Sequence, residues 1–384
     1  MGERVVVLGA GYAGSVAVQC LERELADATL TWVADVDHHL VLHEVHRAIR
    51  DPSVAEKITV PVADVKAPHT TFLEAEVLEV DPEARCVRFA DEEPIEYDYL
   101  LVCLGSDTAF YGIPGLAERS HTLKRLEDAL AINDAITTAG SNATTSDHAE
   151  VVVGGAGLSG VQTAGEIAEL RDRDRLPVDV TIVEALESVL PGLDTSVQDR
   201  VRSMLDASGI TVLTDDPVTE ADDEGLHFDQ RASIPYDVLI WTGGITGRDA
   251  LSGVEIDNDH ERLETDTTFR TSDERVFAVG DAAVVGLNGG GAAPPTAQAA
   301  WDAAAVAARN VVRAIQEEPL DRWSYRDKGT LISVGESALA HEVIGIPVST
   351  FGGSFAVALK KLVAARWIAT ITSWRRGLAA WDAL

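Results

Sequence analysis

With 384 residues and 46% apolar content the chain can bury large cores, which excludes a disordered protein and argues for two domains plus an appendage. The net charge of −32, from 63 acids against 25 Arg and only 6 Lys, excludes nucleic acid, because nothing could neutralise a run of phosphates. Excess acid with scarce lysine is the composition of proteins working in molar salt, where repulsion between surface carboxylates is screened to within about 3 Å.

In chain order, Met1 to Arg4 leads directly into an apolar run, Val5 to Leu8, that reads as a buried parallel strand. No secretory leader precedes it, and no run of about 18 apolar residues follows anywhere, so a cytoplasmic chain without a spanning helix is expected. Gly9-Ala-Gly11-Tyr-Ala-Gly14 then opens a helix read over Tyr12 to Leu25. In a GxGxxG turn the first glycine permits the tight bend and the second lets backbone N–H groups approach a pyrophosphate. The third lets helix and strand pack closely, and the helix N-terminus presents its positive end to the anion. Leu30 to Val33 supplies a second strand, closed by Asp35, whose carboxylate suits ribose hydroxyls.

Four histidines, His38, His39, His43 and His46, crowd into nine residues, and His39 and His43 are expected to share a helix face. A metal there would need a third ligand from Asp37 or Glu44, and no recognised metal spacing is present, so packing beside a cofactor is expected. Thr71 to Leu73, Val77 to Val80, Cys86 to Phe89 and Tyr97 to Leu104 read as a β-meander inserted into the first nucleotide unit. Ile113-Pro-Gly115 marks a crossing between domains, residues 121–139 read as helix, and Gly140 to Glu150 as a linker. Cys20, Cys86 and Cys103 form no CxxC or CxxxxC pair and read as small buried thiols.

The second fingerprint, Gly155-Ala-Gly157-Leu-Ser-Gly160, repeats the first, between a strand at Val151 to Val153 and a helix at Val161 to Leu170. Glu184 closes the strand Val180 to Val183, and an acid there favours NADH, because a 2′-phosphate would meet like charge. Val238 to Trp241 is a further strand, turned by Thr242-Gly243-Gly244. Val276 to Val279 ends in Gly280-Asp281, where a carboxylate can hold a polyol hydroxyl, and a helix over Thr296 to Ile315 follows.

The tail reverses the charge. Residues 351–384 hold five bases, Lys360, Lys361, Arg366, Arg375 and Arg376, and one acid, Asp382, a local charge of +4 against −36 elsewhere. On one helical wheel Leu359, Val363, Trp367, Ile371, Trp374, Leu378 and Trp381 share a face, with Lys361, Arg375 and Arg376 opposite, which reads as an in-plane membrane anchor. Five bases contribute about 5 kcal/mol near an anionic leaflet and salt erases much of it, whereas three tryptophans contribute on the order of 15 kcal/mol gross. Apolar insertion should therefore dominate. The alternative is a helix packed into a homodimer or against the body of the protein.

Together these residues resemble the two-dinucleotide flavoprotein reductases, and within them the type II NADH:quinone oxidoreductases, over nearly the whole chain. The resemblance rests on both fingerprints and on Asp98-Tyr-Leu-Leu-Val-Cys-Leu-Gly105-Ser106 with Phe110-Tyr-Gly-Ile-Pro-Gly115. Leu123 to Ala129, Val279-Gly-Asp281, Pro294-Pro-Thr-Ala-Gln298 and Tyr325-Arg-Asp-Lys-Gly329 complete it. It implies an α/β fold of two Rossmann-like domains with a β-meander insertion and a C-terminal amphipathic helical region. It further implies FAD on residues 1–112 and 265–320, NADH on 113–264, and a C-terminal domain at 321–384 with a membrane-surface or dimer helix, residues 351–384 being the part expected at the inner leaflet. FAD would meet Gly9, Gly11, Gly14, Asp35, Gly105, Gly280, Asp281 and Ala297; NADH would meet Gly155, Gly157, Gly160, Glu184 and Gly243. A quinone would collect two electrons, with Gln298, Gln162 and Glu166 as the catalytic candidates.

Two positions depart from that family. Gln162 stands where a Glu is usual, and Gln298 is followed by Asp302 where a second Gln is usual. A neutral amide hydrogen-bonds but carries no proton at neutral pH, so Glu166, one turn onward, is the candidate to replace it. The alternative for Glu166 is a solvated surface acid. The departures keep open a soluble NADH oxidase or flavin reductase, and a non-catalytic FAD-binding regulator. Sulfide:quinone chemistry is disfavoured, because Cys86 and Cys103 do not match its cysteine pattern.

Overall fold

The computed structural model describes residues 2–25 and 28–384, so Met1, Ala26 and Asp27 lie outside the described residues. The chain lays down β1 (Arg4–Leu8), α1 (Tyr12–Glu24), β2 (Thr29–Ala34), β3 (Thr71–Glu74) and β4 (Tyr99–Val102). It continues through α2 (Leu126–Asn142), β5 (Ala149–Gly154), α3 (Leu158–Asp174), β6 (Val178–Val183), α4 (Thr195–Ala207), β7 (Ile210–Leu213) and β8 (Val238–Trp241). β9 (Val276–Ala278) and α5 (Ala297–Ile315) follow, then β10 (Thr330–Val334), β11 (Ser337–His341) and β12 (Thr350–Gly352). Two helices close the chain, α6 (Ser354–Ile371) and α7 (Trp374–Ala379).

Two five-stranded parallel sheets form the core. The first has the order β9-β4-β1-β2-β3. The second places Ser120–His121 at its edge, followed by β8, β5, β6 and β7. Strands covered on both faces need apolar side chains throughout, and Val5, Val7, Leu8, Val151, Val152 and Val153 are wholly buried. In each sheet the first strand of the unit lies between the strand that follows its helix and one laid down later. The glycine turn therefore sits at the switch point of the strand order, where an open α/β sheet receives its ligand.

The chain returns to the first sheet through β9, and α5 then lies against α1. Ala300, Ala303, Ala304 and Ala307 on one helix and Ala13 and Ala17 on the other are buried, and small side chains let two helices approach closely. Thr296 caps α5 by accepting the Ala299 N–H at 3.2 Å.

Several expected elements take a different form. Thr71–Glu74 and Tyr99–Val102 belong to the first parallel sheet, so the antiparallel meander contains only Val77–Asp81, Cys86–Phe89 and Ile95–Glu96. Alternation and apolar runs locate strands but do not choose their partners. α2 begins at Leu126, because the Asp128 carboxylate accepts the Lys124 and Arg125 N–H groups at 2.7 and 2.9 Å and fixes the start. The expected linker after residue 139 is partly helix and partly β5.

His39 and His43 share no helix. His38–Leu40 pairs antiparallel with Thr59–Pro61, and His43 lies in a single 3-10 turn. Nor is the tail one helix. The backbone breaks at Thr372 and Ser373, and the Ser373 hydroxyl caps a new helix. The helical phase is reset there, so Trp367 and Ile371 face the body while Trp374 and Leu378 are exposed.

Candidate functional site

Each glycine turn is a cradle with the same three-part construction. A Cβ on Gly9, whose φ is +100°, would meet Cys103 O at 2.2 Å, and one on Gly14 would meet Gly9 O at 1.9 Å. At Gly11 nothing lies within 4 Å. The second turn repeats this: Gly155 would meet Gly243 Cα at 2.7 Å, Gly160 would meet Gly155 O at 1.8 Å, and Gly157 faces open space. Outer glycines closed by backbone and a middle glycine left open are what a pyrophosphate-binding turn needs. Neither α1 nor α3 has an acid in its first turn, so the positive end of each helix is left for an anion. The residues present therefore fit a dinucleotide in both places.

Around the first cradle, Asp35 lies just beyond β2, and its Oδ2 accepts Arg125 Nη2 at 2.5 Å, with Arg248 Nη2 at 3.8 Å. Arg248 also reaches Asp107 at 3.2 Å. Asp281 follows β9 in a short turn beside Gly280, whose φ is +74°. Ser106 Oγ donates to Asp281 Oδ2 at 3.4 Å, and Lys124 Nζ donates to Ser106 Oγ at 3.1 Å. Burial pushes the Lys124 ammonium down against the pull of Asp281 and Asp107. Gly105, at φ +74°, faces open space, and Ala297 begins α5. Lys124 and Arg125 fall in the Leu123 to Ala129 motif but receive no site role from the sequence, and Arg248 belongs to no motif; their approach to Asp281 and Asp35 joins distant segments.

At the second cradle Glu184 is held by the turn itself: Oε2 accepts the Ala156 N–H at 2.7 Å and Oε1 the Leu186 N–H at 3.0 Å. Arg171 and Arg173 sit at the opposite end of α3 and bond to Asp172, Ser208 O and Asp174. Trp241 lies under Gly154 and Gly243, and the Tyr111 hydroxyl donates to Gly243 O at 3.0 Å.

The three catalytic candidates hold different partners. Gln298 Nε2 donates to Arg326 O at 2.9 Å, and Asp302 pairs with Lys328. Gln162 is buried and its Oε1 accepts from Ser333 Oγ at 3.1 Å. Glu166 is wholly buried, which overturns its reading as a solvated surface acid. Arg50 Nε lies 3.0 Å from its Oε2 and Arg47 Nη1 4.0 Å from its Oε1, yet neither oxygen accepts an aligned hydrogen bond. Burial pushes this carboxyl up to about 7 against the pull of Arg50 and Arg47.

Glu166 closes a buried polar chain that starts beside the first cradle. The Tyr12 hydroxyl bonds to His43 Nδ1, and His43 Nε2 lies 3.8 Å from Glu44 Oε1. Glu44 accepts Lys360 Nζ at 2.8 Å and Arg47 Nε at 2.6 Å. Burial alone would raise the Glu44 carboxyl, but Lys360 and Arg47 pull it below the usual carboxylate range. Burial also keeps the histidines neutral: His39 and His43 are pushed down to about 4 and His46 well below its ordinary value. His39 Nδ1 donates to Ala10 O at 2.8 Å and its Nε2 accepts the Trp367 Nε1–H at 2.8 Å, which packs this cluster beside the first cradle.

Lys360 was expected among bases facing an anionic surface, but it is 4% exposed. Lys361 donates to Trp381 O at 3.2 Å and Arg376 pairs with Asp64, so only Arg366 and Arg375 of the five bases point outward. Beside them Phe355, Leu362, Val363, Trp374 and Leu378 are exposed. No helix among the described residues is long and apolar enough to cross a membrane. All three cysteines are free and buried, with the Cys103 thiol pushed well above its ordinary value by burial.

The description "pyridine nucleotide-disulphide oxidoreductase" belongs to the protein family whose model matches residues 3–304. Type II NADH:quinone oxidoreductases from Staphylococcus saprophyticus and Staphylococcus aureus are each 26% identical, over 95% of this chain and 94% of theirs. The fold is shared with NDH2 from Plasmodium falciparum solved in complex with NADH: TM-score 0.84, 16% identity, 100% of this chain and 98% of that one. It is also shared with the sulfide:quinone oxidoreductase of Aquifex aeolicus: TM-score 0.78, 18% identity, 98% of this chain and 92% of that one. With two intact nucleotide cradles and a family match over most of its length, this chain belongs to the pyridine nucleotide-disulphide oxidoreductases and works with FAD and NADH.

Proposed function

We propose that the protein is a peripheral NADH:quinone oxidoreductase on the cytoplasmic face of the membrane, moving two electrons without pumping protons. The observation that carries this reading is the pair of cradles at two sheet switch points of one chain, each with an open middle glycine. The acceptor rests on the similarity to type II enzymes. FAD belongs to the discontinuous unit 1–112 and 265–320, and NADH to 113–264, with residues 351–384 of the C-terminal domain 321–384 as the membrane-facing part.

When bound, FAD supplies a ring that takes hydride from NADH and yields electrons singly or in pairs. The chain's own residues bind and orient. Gly9, Gly11 and Gly14 receive the pyrophosphate of FAD, Asp35 its adenosine ribose and Asp281 its ribityl chain, with Gly105, Gly280 and Ala297 lining the same groove. Gly155, Gly157 and Gly160 receive NADH, Glu184 its ribose and Gly243 its nicotinamide end. Glu184, with no arginine bonded to it, selects NADH over NADPH. Gln162 is fixed by Ser333 and positions rather than transfers. Glu166, pushed up to about 7, is the group that holds an exchangeable proton at neutral pH, and Gln298 orients the acceptor.

No helix among the described residues is long and apolar enough to cross a membrane, and the exposed Phe355, Leu362, Trp374 and Leu378 give a surface that inserts without crossing. The free, buried cysteines argue against sulfide chemistry.

Anaerobic stopped-flow tests the reading in two halves. NADH is expected to bleach the bound flavin, and a menaquinone or ubiquinone analogue to restore its colour. Flavin left reduced by the quinone and reoxidised only by oxygen or a dye would install the soluble NADH oxidase instead, the reading favoured by Gln162 and by Asp302 paired to Lys328. Flavin that stays oxidised under excess NADH would indicate a non-catalytic regulator.

A further inference from the structure

At the seam between α4 and the C-terminal sheet three metal-ligating side chains converge that neither nucleotide site uses. Asp194 immediately precedes α4, and His341 ends β11. His341 Nε2 lies 3.4 Å from Asp194 Oδ2, and one ligand atom each from Asp194, His341 and Glu342 falls within 4.8 Å of the other two. His341 is 7% exposed, and its Nδ1 is engaged by Thr350 Oγ1 at 2.8 Å. That bond fixes the ring and leaves Nε2, which makes no hydrogen bond of its own, 3.4 Å from the Asp194 carboxylate. A ligating histidine is held in the same way, with one nitrogen anchored and the other turned to the ion.

Neighbouring residues in a strand point to opposite faces, so His341 and Glu342 could not both reach one ion from regular β-structure. Glu342 leaves the strand instead: its φ is +49°, and its N–H donates to Ser349 O at 2.6 Å. The two side chains are thereby brought to one side.

We propose that Asp194, His341 and Glu342 bind one divalent cation of the zinc class. One imidazole nitrogen and two carboxylate oxygens are zinc-type donors, and water completes four-coordination; an all-oxygen site would suit magnesium or calcium. The partial positive charge at the start of α4, about half an elementary charge, is outweighed by two carboxylates.

The ion would act as a clamp. A groove of about 410 Å³ runs between Arg200, Ser203 and Met204 on α4 and Ala338, Leu339 and Gly352 on the sheet. Joining positions 194 and 341 ties two segments far apart in sequence, where a cross-link removes the most freedom from the unfolded chain. It also holds the far end of the loop that begins at Glu184, the acid of the second cradle.

The test uses the FAD-loaded protein stripped with a chelator and titrated with zinc chloride by calorimetry, with cobalt(II) as a spectroscopic substitute. Expected are one zinc per chain, a melting temperature raised by a few degrees and visible cobalt bands of a low-coordinate site. Asp194→Asn and Glu342→Gln alter exposed side chains, should fold normally, and should each weaken zinc about tenfold or more. His341→Ala should abolish the cobalt bands. Uptake that is not stoichiometric, or zinc affinity unchanged in Asp194→Asn, would overturn the site. Neither result bears on the electron acceptor, which is tested by flavin reoxidation alone.

Discussion

Glu166 shows most clearly how surroundings decide what a residue does. An exposed carboxyl at that helical position would be ionised and unremarkable, whereas burial without aligned donors pushes it up to about 7. The folded chain then binds a proton there that the unfolded chain releases above about 4.5. Its contribution to stability is complete below pH 4.5 and is lost as pH rises through 7. Relative to Glu166→Gln, the native protein should lose on the order of 3 kcal/mol between pH 4.5 and 7.5, read from denaturant unfolding at a series of pH values. A difference that does not vary with pH would mean a carboxylate ionised throughout. The glycines give a second prediction. Gly160→Ala drives a Cβ into Gly155 O and should lower the melting temperature, while Gly157→Ala meets nothing and should fold. Gly157→Ala should nevertheless fail to be reduced by NADH, because the added methyl occupies space meant for pyrophosphate; unchanged reduction kinetics would refute that role. Both glycine turns, and the places of Asp35, Glu184 and Asp281 just beyond strand ends, were legible from spacing, since a tight turn between strand and helix demands glycine at fixed intervals. Arg125 on Asp35, and the polar chain from Tyr12 to Glu166, were not, because they join residues that approach only in the folded chain.

At the scale of elements, the core strands and the helices after each cradle were read correctly to within a few residues, because apolar runs and the turn that follows them are local signals. The C-terminal helices were misread as one amphipathic face. Trp367 is wholly buried against Tyr12, His39 and Trp301, while Trp374 is 57% exposed. These two tryptophans should therefore respond differently. Trp367→Ala is expected to cost about 3–5 kcal/mol in denaturant unfolding. The double variant Trp374→Ala, Leu378→Ala should leave stability within about 0.5 kcal/mol and abolish flotation with anionic liposomes. Flotation that survives in that variant would remove α7 from the membrane contact. Both sides of the anchoring argument shrink: Lys360, Lys361 and Arg376 are engaged inside the protein and Trp367 is wholly buried, so the proposed membrane contact would rest on two outward arginines and on Trp374 and Leu378 rather than on five bases and three tryptophans.

For the whole molecule the governing quantity is charge. A net charge of −32 makes the folded state repel itself at low ionic strength, and salt relieves this over a distance that shrinks to about 3 Å at molar concentration. The melting temperature should rise continuously from millimolar to molar KCl, and a salt-independent value would refute the halophilic reading. Buried pairs such as Lys360–Glu44 should contribute little to that trend, since solvent ions do not reach them. By itself the sequence determined the two cradles, their acids, the parallel core strands and the acidic surface, because each depends on neighbours along the chain or on composition alone. Only the tertiary structure decided which strands pair, which face of the tail is buried, which carboxyl keeps its proton and which side chains converge at the α4 seam. Those outcomes depend on desolvation and on contacts between segments hundreds of residues apart, and no local pattern records them.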